Sequence, residues 1–155
     1  MKQETLTQPK NDLNNISFHK KSTVLSLVIS SSATAYYIAN MWPMRPIALA
    51  SDSIPAGYGT LVLTTFGLII VAQIIMQAVL AFGSGSAPAA TANERLASLK
   101  ATRIANGVMT FGILAAVGSI FFPELTAFCT ANLAFLGLAF GETFKYAAEL
   151  FYARK

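Results

Sequence analysis

Two titratable residues lie near the end of an apolar segment, at a spacing that allows them to interact. Glu142 and Lys145 are three residues apart, so on a helix they share one face and can form an ion pair. A carboxylate held by a lysine inside a membrane segment could respond to protons or ions. Alternatively, both side chains could extend toward water at the membrane surface. Either interpretation requires a helix that crosses a membrane close to these residues.

Further polar residues are predicted at the same depth, and together they would form an inner polar layer. This layer is suited either to binding an ion or ligand or to hydrogen bonds between packed helices. Its other members are Gln73, Gln77, Asn106 and Arg103.

Residue types that support catalysis or metal binding are scarce. The chain has one cysteine, Cys129, and one histidine, His19, which are too few for a disulfide or a multi-cysteine metal site. No nucleophile motif and no phosphate-binding loop is present. The sequence therefore predicts no enzyme, no catalytic residues, no metal site and no cofactor.

Composition places these residues in a membrane protein. The 155 residues are 54% hydrophobic and only 12% charged, with a mean hydropathy of +0.55, whereas soluble domains are about 25% charged. The lipid bilayer is therefore a predicted partner. The net charge of +4 is better explained by membrane orientation than by nucleic acid, which is not predicted to bind.

Four apolar runs have the length that crosses a bilayer, about 20 residues each. They are predicted at about 22–42, 59–82, 104–122 and 125–146, after a polar tail at 1–21. The predicted fold is all-α, with residues 22–155 forming a bundle of four transmembrane helices. The short connection around Pro123 predicts that the third and fourth spans form an antiparallel hairpin.

Basic residues predict the orientation of this bundle, since they are enriched on the cytoplasmic side of bacterial membrane proteins. Arg45 alone lies on one side of the predicted spans. Both termini are therefore predicted to be cytoplasmic. The ten basic residues on the other side are Lys2, Lys10, Lys20, Lys21, Arg95, Lys100, Arg103, Lys145, Arg154 and Lys155.

A helix start is predicted well before the third span. Thr91 is followed three residues later by Glu94, the spacing of a capping box. A helix that begins here would extend the third span into the cytoplasm by roughly three turns. Its charged residues Glu94, Arg95 and Lys100 are predicted to contact anionic lipid or a partner protein.

Small residues predict close helix packing. Gly137 and Gly141 form a G-x-x-x-G motif in the fourth span, and Gly112 lies in the third. Such residues let helix backbones approach closely, either within one bundle or between two copies. Asn132 is predicted to contribute packing polarity in the same region.

The second half of the chain resembles a group of small bacterial four-span membrane proteins of unknown function. The resemblance rests on Asn93-Glu94-Arg95 with Arg103-Ile104, on Ala131-Asn132-Leu133 and on Glu142-x-x-Lys145-Tyr146. Asn93 occupies the position where that group usually has aspartate. The resemblance implies a multi-pass protein of the bacterial inner membrane, with these polar residues as its shared framework, and implies no reaction.

Two functions are compatible with the sequence. The first is a non-enzymatic scaffold, accessory or regulatory subunit that forms a homo-oligomer or binds a membrane-protein partner. The second is a small homo-oligomeric transporter or channel that uses the inner polar layer.

Overall fold

The computed structural model describes residues 12–83 and 90–153, with side chains from Phe18 onward. These ranges contain only helices and connecting turns, with no strand. The five α-helices are α1 (Asp12–Met41), α2 (Arg45–Ser51), α3 (Tyr58–Gly83), α4 (Ala92–Ser119) and α5 (Ala127–Tyr152). Residues 1–11 of the predicted tail at 1–21, and the basic residues Lys2, Lys10, Arg154 and Lys155, lie outside the described residues.

Four helical segments are long and apolar enough to cross a membrane, which confirms the predicted all-α class. They are Phe18–Ser51, Tyr58–Gly83, Ala92–Ser119 and Ala127–Tyr152. At about 1.5 Å per residue, even the shortest of them exceeds the roughly 30 Å hydrocarbon core of a bilayer.

The α4–α5 pair forms the antiparallel hairpin that the short connection predicts. Thr126 caps the start of α5, since its hydroxyl accepts a hydrogen bond from the Cys129 amide at 3.4 Å. The hydroxyls of Ser119 and Thr130 lie 2.7 Å apart across the turn. These polar contacts thus stabilise the connection between α4 and α5.

The remaining long helices extend this hairpin into a row. α5 packs against α1, and α1 packs against α3, so the principal contacts run in the order α4, α5, α1, α3. Helix α3 therefore lies at one edge of the row. None of the 18 residues in its most apolar window is buried.

Polarity is distributed as in a membrane protein, because small polar side chains line an inward face of α1 and many large apolar side chains are exposed. The buried face of α1 carries Thr23, Ser26, Ser30 and Thr34. By contrast, α3 exposes Leu63 and Ile74, which in water would be costly at this density. In lipid, the same arrangement satisfies both kinds of side chain.

The connection between α1 and α3 contains more helix than the sequence indicates. Pro43 and Pro46 predict an end to helical structure, yet a short 3₁₀ helix, Trp42–Met44, and then α2 follow α1 directly. Each proline occupies the first turn of its helix, where the missing N–H removes no hydrogen bond. Helix α2 ends at Ser51 and is followed by Asp52, which adopts a left-handed conformation with φ 46°.

Candidate functional site

A hydrogen-bonded cluster joins α1, α3 and α5 through two tyrosines and an asparagine. Tyr37 donates its hydroxyl proton to Asn132 Oδ1, so the Tyr58 hydroxyl, 2.8 Å away, donates to Tyr37. Asn132 Nδ2 in turn donates to the Phe128 carbonyl at 2.7 Å. Each of the three groups that donate in this series of hydrogen bonds has an acceptor. The cluster connects three of the four long helices.

Aromatic rings enclose the same cluster. The Tyr37 ring stacks on Phe135 with centroids 4.0 Å apart, and the Tyr58 ring meets Phe128 edge-on at 5.1 Å. Tyr37 has no exposed surface and Phe128 is 2% exposed. The cluster is therefore a closely packed connection between the three helices.

A second set of hydrogen bonds joins α1 to the other half of α3. Ser22 Oγ donates to Gln77 Oε1 at 2.9 Å, and Ser26 Oγ donates to Gln73 Oε1 at 2.9 Å. Gln77 Nε2 also donates to Ser26 Oγ at 3.3 Å. We call these four residues the Ser–Gln ladder. The two glutamines of the predicted inner polar layer thus bind α1 instead of facing an open path.

Helix α1 is tied to α5 at an intermediate depth. The hydroxyls of Ser30 and Thr143 lie 3.1 Å apart, and Thr143 also bonds to the Ala139 carbonyl at 2.9 Å within its own helix. Polar contacts therefore accompany the α1–α5 interface from Tyr37 to Thr143.

The other predicted members of the inner layer are divided between two surfaces. Glu142 and Lys145 are half-buried on α5, and the Lys145 ammonium lies 5.3 Å from the centroid of the Tyr146 ring. Arg103 and Asn106 are exposed on α4. Two of the six predicted residues are thus exposed on α4, whereas the two glutamines bind α1.

Glycines bring α4 and α5 into close contact. A Cβ atom built on Gly137 would lie 2.7 Å from Gly112 Cα, so neither position has space for a side chain. A Cβ on Gly141 would meet Met109 Cγ and lie 3.3 Å from the Ala105 carbonyl oxygen. The three glycines thus lie at one helix–helix interface within a single chain.

The predicted capping box is present at the start of α4. The Thr91 hydroxyl accepts a hydrogen bond from the Glu94 amide at 3.3 Å, and Glu94 Oε2 accepts one from the Thr91 amide at 2.9 Å. Farther along, the Lys100 ammonium lies 5.7 Å from the Tyr152 ring centroid on α5. Arg95 is exposed.

A cleft of about 390 Å³ lies where α4 begins and α5 ends. Its lining includes His19 from α1, Glu94 and Arg95 from α4, and Glu149 from α5. The described residues contain no group of three or more His, Cys, Asp or Glu side chains that could hold a metal ion. The cleft nevertheless brings together charged or titratable groups from three helices.

Sequence reasoning did not find several of these contacts. Ser26 and Ser30 were identifiable only as small residues at helical spacing, although they are hydrogen-bonding groups that α3 and α5 use. His19 and Glu149 are 130 positions apart, and their meeting depends on how α1 packs against α5. The signal that could have indicated a polar interface was the helical spacing of Thr23, Ser26 and Ser30, all of which are buried in the structure.

Fold and contacts together define the class: an all-α protein with four helices able to cross a membrane, tied together by buried polar contacts. Comparisons of the chain with protein-family models, with curated proteins and with solved structures each gave no match.

Proposed function

We propose that this chain is a non-enzymatic, oligomeric scaffold, accessory or regulatory subunit of the bacterial inner membrane. The supporting observation is that the polar groups of the Ser–Gln ladder, including the buried Ser26, and of the buried Tyr37–Asn132 cluster form hydrogen bonds between helices. Hydrogen bonds of this kind stabilise packed membrane helices. A protein whose polar side chains form hydrogen bonds between its helices is suited to presenting rigid surfaces.

The proposed topology has both termini in the cytoplasm, with α4 extending beyond the hydrocarbon core on the cytoplasmic side. It is supported by the distribution of basic residues and by the helical start at Ala92. At the opposite end, the Arg45 guanidinium carbon lies 5.6 Å from the Trp42 ring centroid, a combination suited to the headgroup level. We also place the chain among the small bacterial four-span proteins it resembles, on the basis of Glu94, Asn132 and Glu142.

The proposed oligomer contact lies on α4, on the side turned away from α5. Asn106 and Thr110 are both exposed there and lie four residues apart, so they share a face. An asparagine amide facing lipid loses hydrogen bonds that a neighbouring helix can restore. A second copy supplies the same donor and acceptor, which allows reciprocal pairing.

Cysteine cross-linking in native membranes tests this proposal. In a Cys129→Ala background, Thr110→Cys is expected to give a covalent dimer. Phe111→Cys is the matched control, since the next residue on a helix points about 100° away. Asn106→Leu should reduce the Thr110→Cys dimer. Equal cross-linking at both positions, or none at Thr110, would contradict the proposed contact.

A transporter or channel is the second candidate. The position of Glu142 favours it. This carboxylate is half-buried on α5. If it carries a coupled proton or ion, Glu142→Gln should abolish ion or solute flux in proteoliposomes. Flux that is unchanged by Glu142→Gln would remove Glu142 as the coupling residue.

A further inference from the structure

The cleft at the start of α4 adjoins a much smaller cavity. The cavity has a volume of about 10 Å³, and His19, Glu94 and Glu149 line both spaces. A space of this size holds about one water molecule. It also matches an ammonium group at the end of a longer molecule that occupies the 390 Å³ cleft.

One carboxylate oxygen at this position has no partner within the described part of the chain. Glu94 Oε2 accepts hydrogen bonds from the Thr91 amide at 2.9 Å and from the Thr91 hydroxyl at 3.0 Å. Glu94 Oε1 is buried and unpaired. A buried carboxylate oxygen without a donor destabilises the folded state, and a ligand that supplies an N–H donor removes that cost.

The position of the cleft along the helices matches the headgroup layer of the proposed membrane orientation. His19 lies three residues before the predicted first span, and Glu149 lies three residues after the predicted fourth span. At 1.5 Å per residue, both lie roughly 4–5 Å beyond the hydrocarbon core. Glu94 lines the same small cavity and therefore lies at the same level, although the predicted start of the third span at about residue 104 would put it roughly 15 Å beyond the core. With the cleft in the headgroup layer, α4 extends beyond the core by about one turn instead of the predicted three. The headgroup layer extends about 5–7 Å beyond that core on each side.

We propose that this cleft binds a primary ammonium joined to a phosphate, which is the chemistry of a phosphoethanolamine headgroup. The ammonium donates its N–H groups to Glu94 Oε1, to the Glu149 carboxylate and to an unprotonated nitrogen of His19. Arg95 lines the cleft but not the small cavity, and its guanidinium binds the phosphate. Leu99, 69% exposed beside the cleft, offers apolar surface to an acyl chain.

This arrangement discriminates between headgroups. A trimethylated ammonium has no N–H donor and is too large for a cavity of about 10 Å³. Lys20 also borders the small cavity, so its own ammonium is the competing occupant. The inference depends on the membrane location proposed above but not on oligomerisation, so failure of the α4 cross-link leaves it intact.

Native mass spectrometry of the full chain in detergent, titrated with single lipids, tests the proposal. We expect phosphatidylethanolamine to bind about tenfold more tightly than phosphatidylcholine, because only the former donates charged hydrogen bonds. Glu94→Gln and Glu149→Gln should each remove this preference. Glutamine preserves the capping box at residue 94, so the first variant keeps α4 intact.

Glu124→Gln is the matched control, because Glu124 is exposed in the connection at the other end of α4 and α5. Lys20→Gln should leave ethanolamine binding unchanged or stronger. Free phosphoethanolamine, tested separately, distinguishes a soluble source of the ligand from a lipid. Equal affinity for the two lipids together with no binding of free phosphoethanolamine, or an unchanged preference in both glutamate variants, would overturn the proposal.

Discussion

Replacing Gly137 with alanine tests the closest approach in the bundle. The added Cβ would lie 2.7 Å from Gly112 Cα, whereas carbon atoms in favourable contact are about 3.5–4.0 Å apart. The obstacle is the backbone of α4 and not a flexible side chain. The two helices must therefore separate by roughly 1 Å at this point, and the contacts above and below it loosen.

The expected free-energy change combines two opposing terms. Overpacking of this kind costs about 1–3 kcal/mol, while the higher helix propensity of alanine restores up to about 1 kcal/mol. We expect Gly137→Ala to lower the free energy of unfolding by about 1–2 kcal/mol. Gly112→Ala should behave similarly, because the two glycines face each other.

Equilibrium unfolding by sodium dodecyl sulfate in mixed micelles, followed by far-UV circular dichroism, measures this change. Gly67→Ala is the matched control, since a Cβ at that α3 position would have no atom within 4 Å. The control should be neutral or slightly stabilising. If Gly137→Ala proves as stable as Gly67→Ala, the inferred backbone contact between α4 and α5 is wrong.

Three further substitutions test other contacts by the same unfolding assay. Tyr37→Phe should cost about 1–3 kcal/mol, because it leaves a buried acceptor without its donor; the exposed neighbour Tyr36 provides the control Tyr36→Phe, which should change stability by less than about 0.5 kcal/mol. Ser26→Ala should lower the free energy of unfolding by about 0.6–2 kcal/mol through loss of its hydrogen bonds to α3. If the effects of Ser26→Ala and Gln73→Leu simply add in the double variant, the two side chains are not coupled and the reasoning is wrong. Thr91→Ala should cost about 1 kcal/mol and reduce the helical signal, and an unchanged spectrum would show that the capping box is dispensable.

Local patterns predicted much of the fold because they depend on neighbouring residues. The apolar runs indicated four helices, and the Thr91–Glu94 spacing indicated the start of α4. The short connection at Pro123 indicated the hairpin. Helix α2 was missed because Pro43 was interpreted as a terminator, although proline is equally compatible with the first turn of a helix.

The candidate site was harder to predict, because depth along a helix does not specify which face meets which neighbour. Gln73 and Asn106 were assigned to one layer on depth alone, yet Gln73 bonds to Ser26 and Asn106 is exposed. Likewise, Glu94 and His19 come together only because three helices pack in a particular order. That order is a property of tertiary packing and leaves no periodic signal in any single helix.

The buried polar face of α1 also affects the order in which contacts form during synthesis. Ser30 bonds to a residue 113 positions later, and Tyr37 bonds to one 95 positions later. At a synthesis rate of about 5–20 residues per second, α1 exists for roughly 5–20 s before α5 has been made. Helix α3 is synthesised before α5 and supplies only some of the hydrogen-bond partners of α1. During this interval the hydroxyls of Ser30 and Tyr37 must be sheltered by the insertion machinery or by water, so α1 is made before the other long helices but is among the last to complete its contacts.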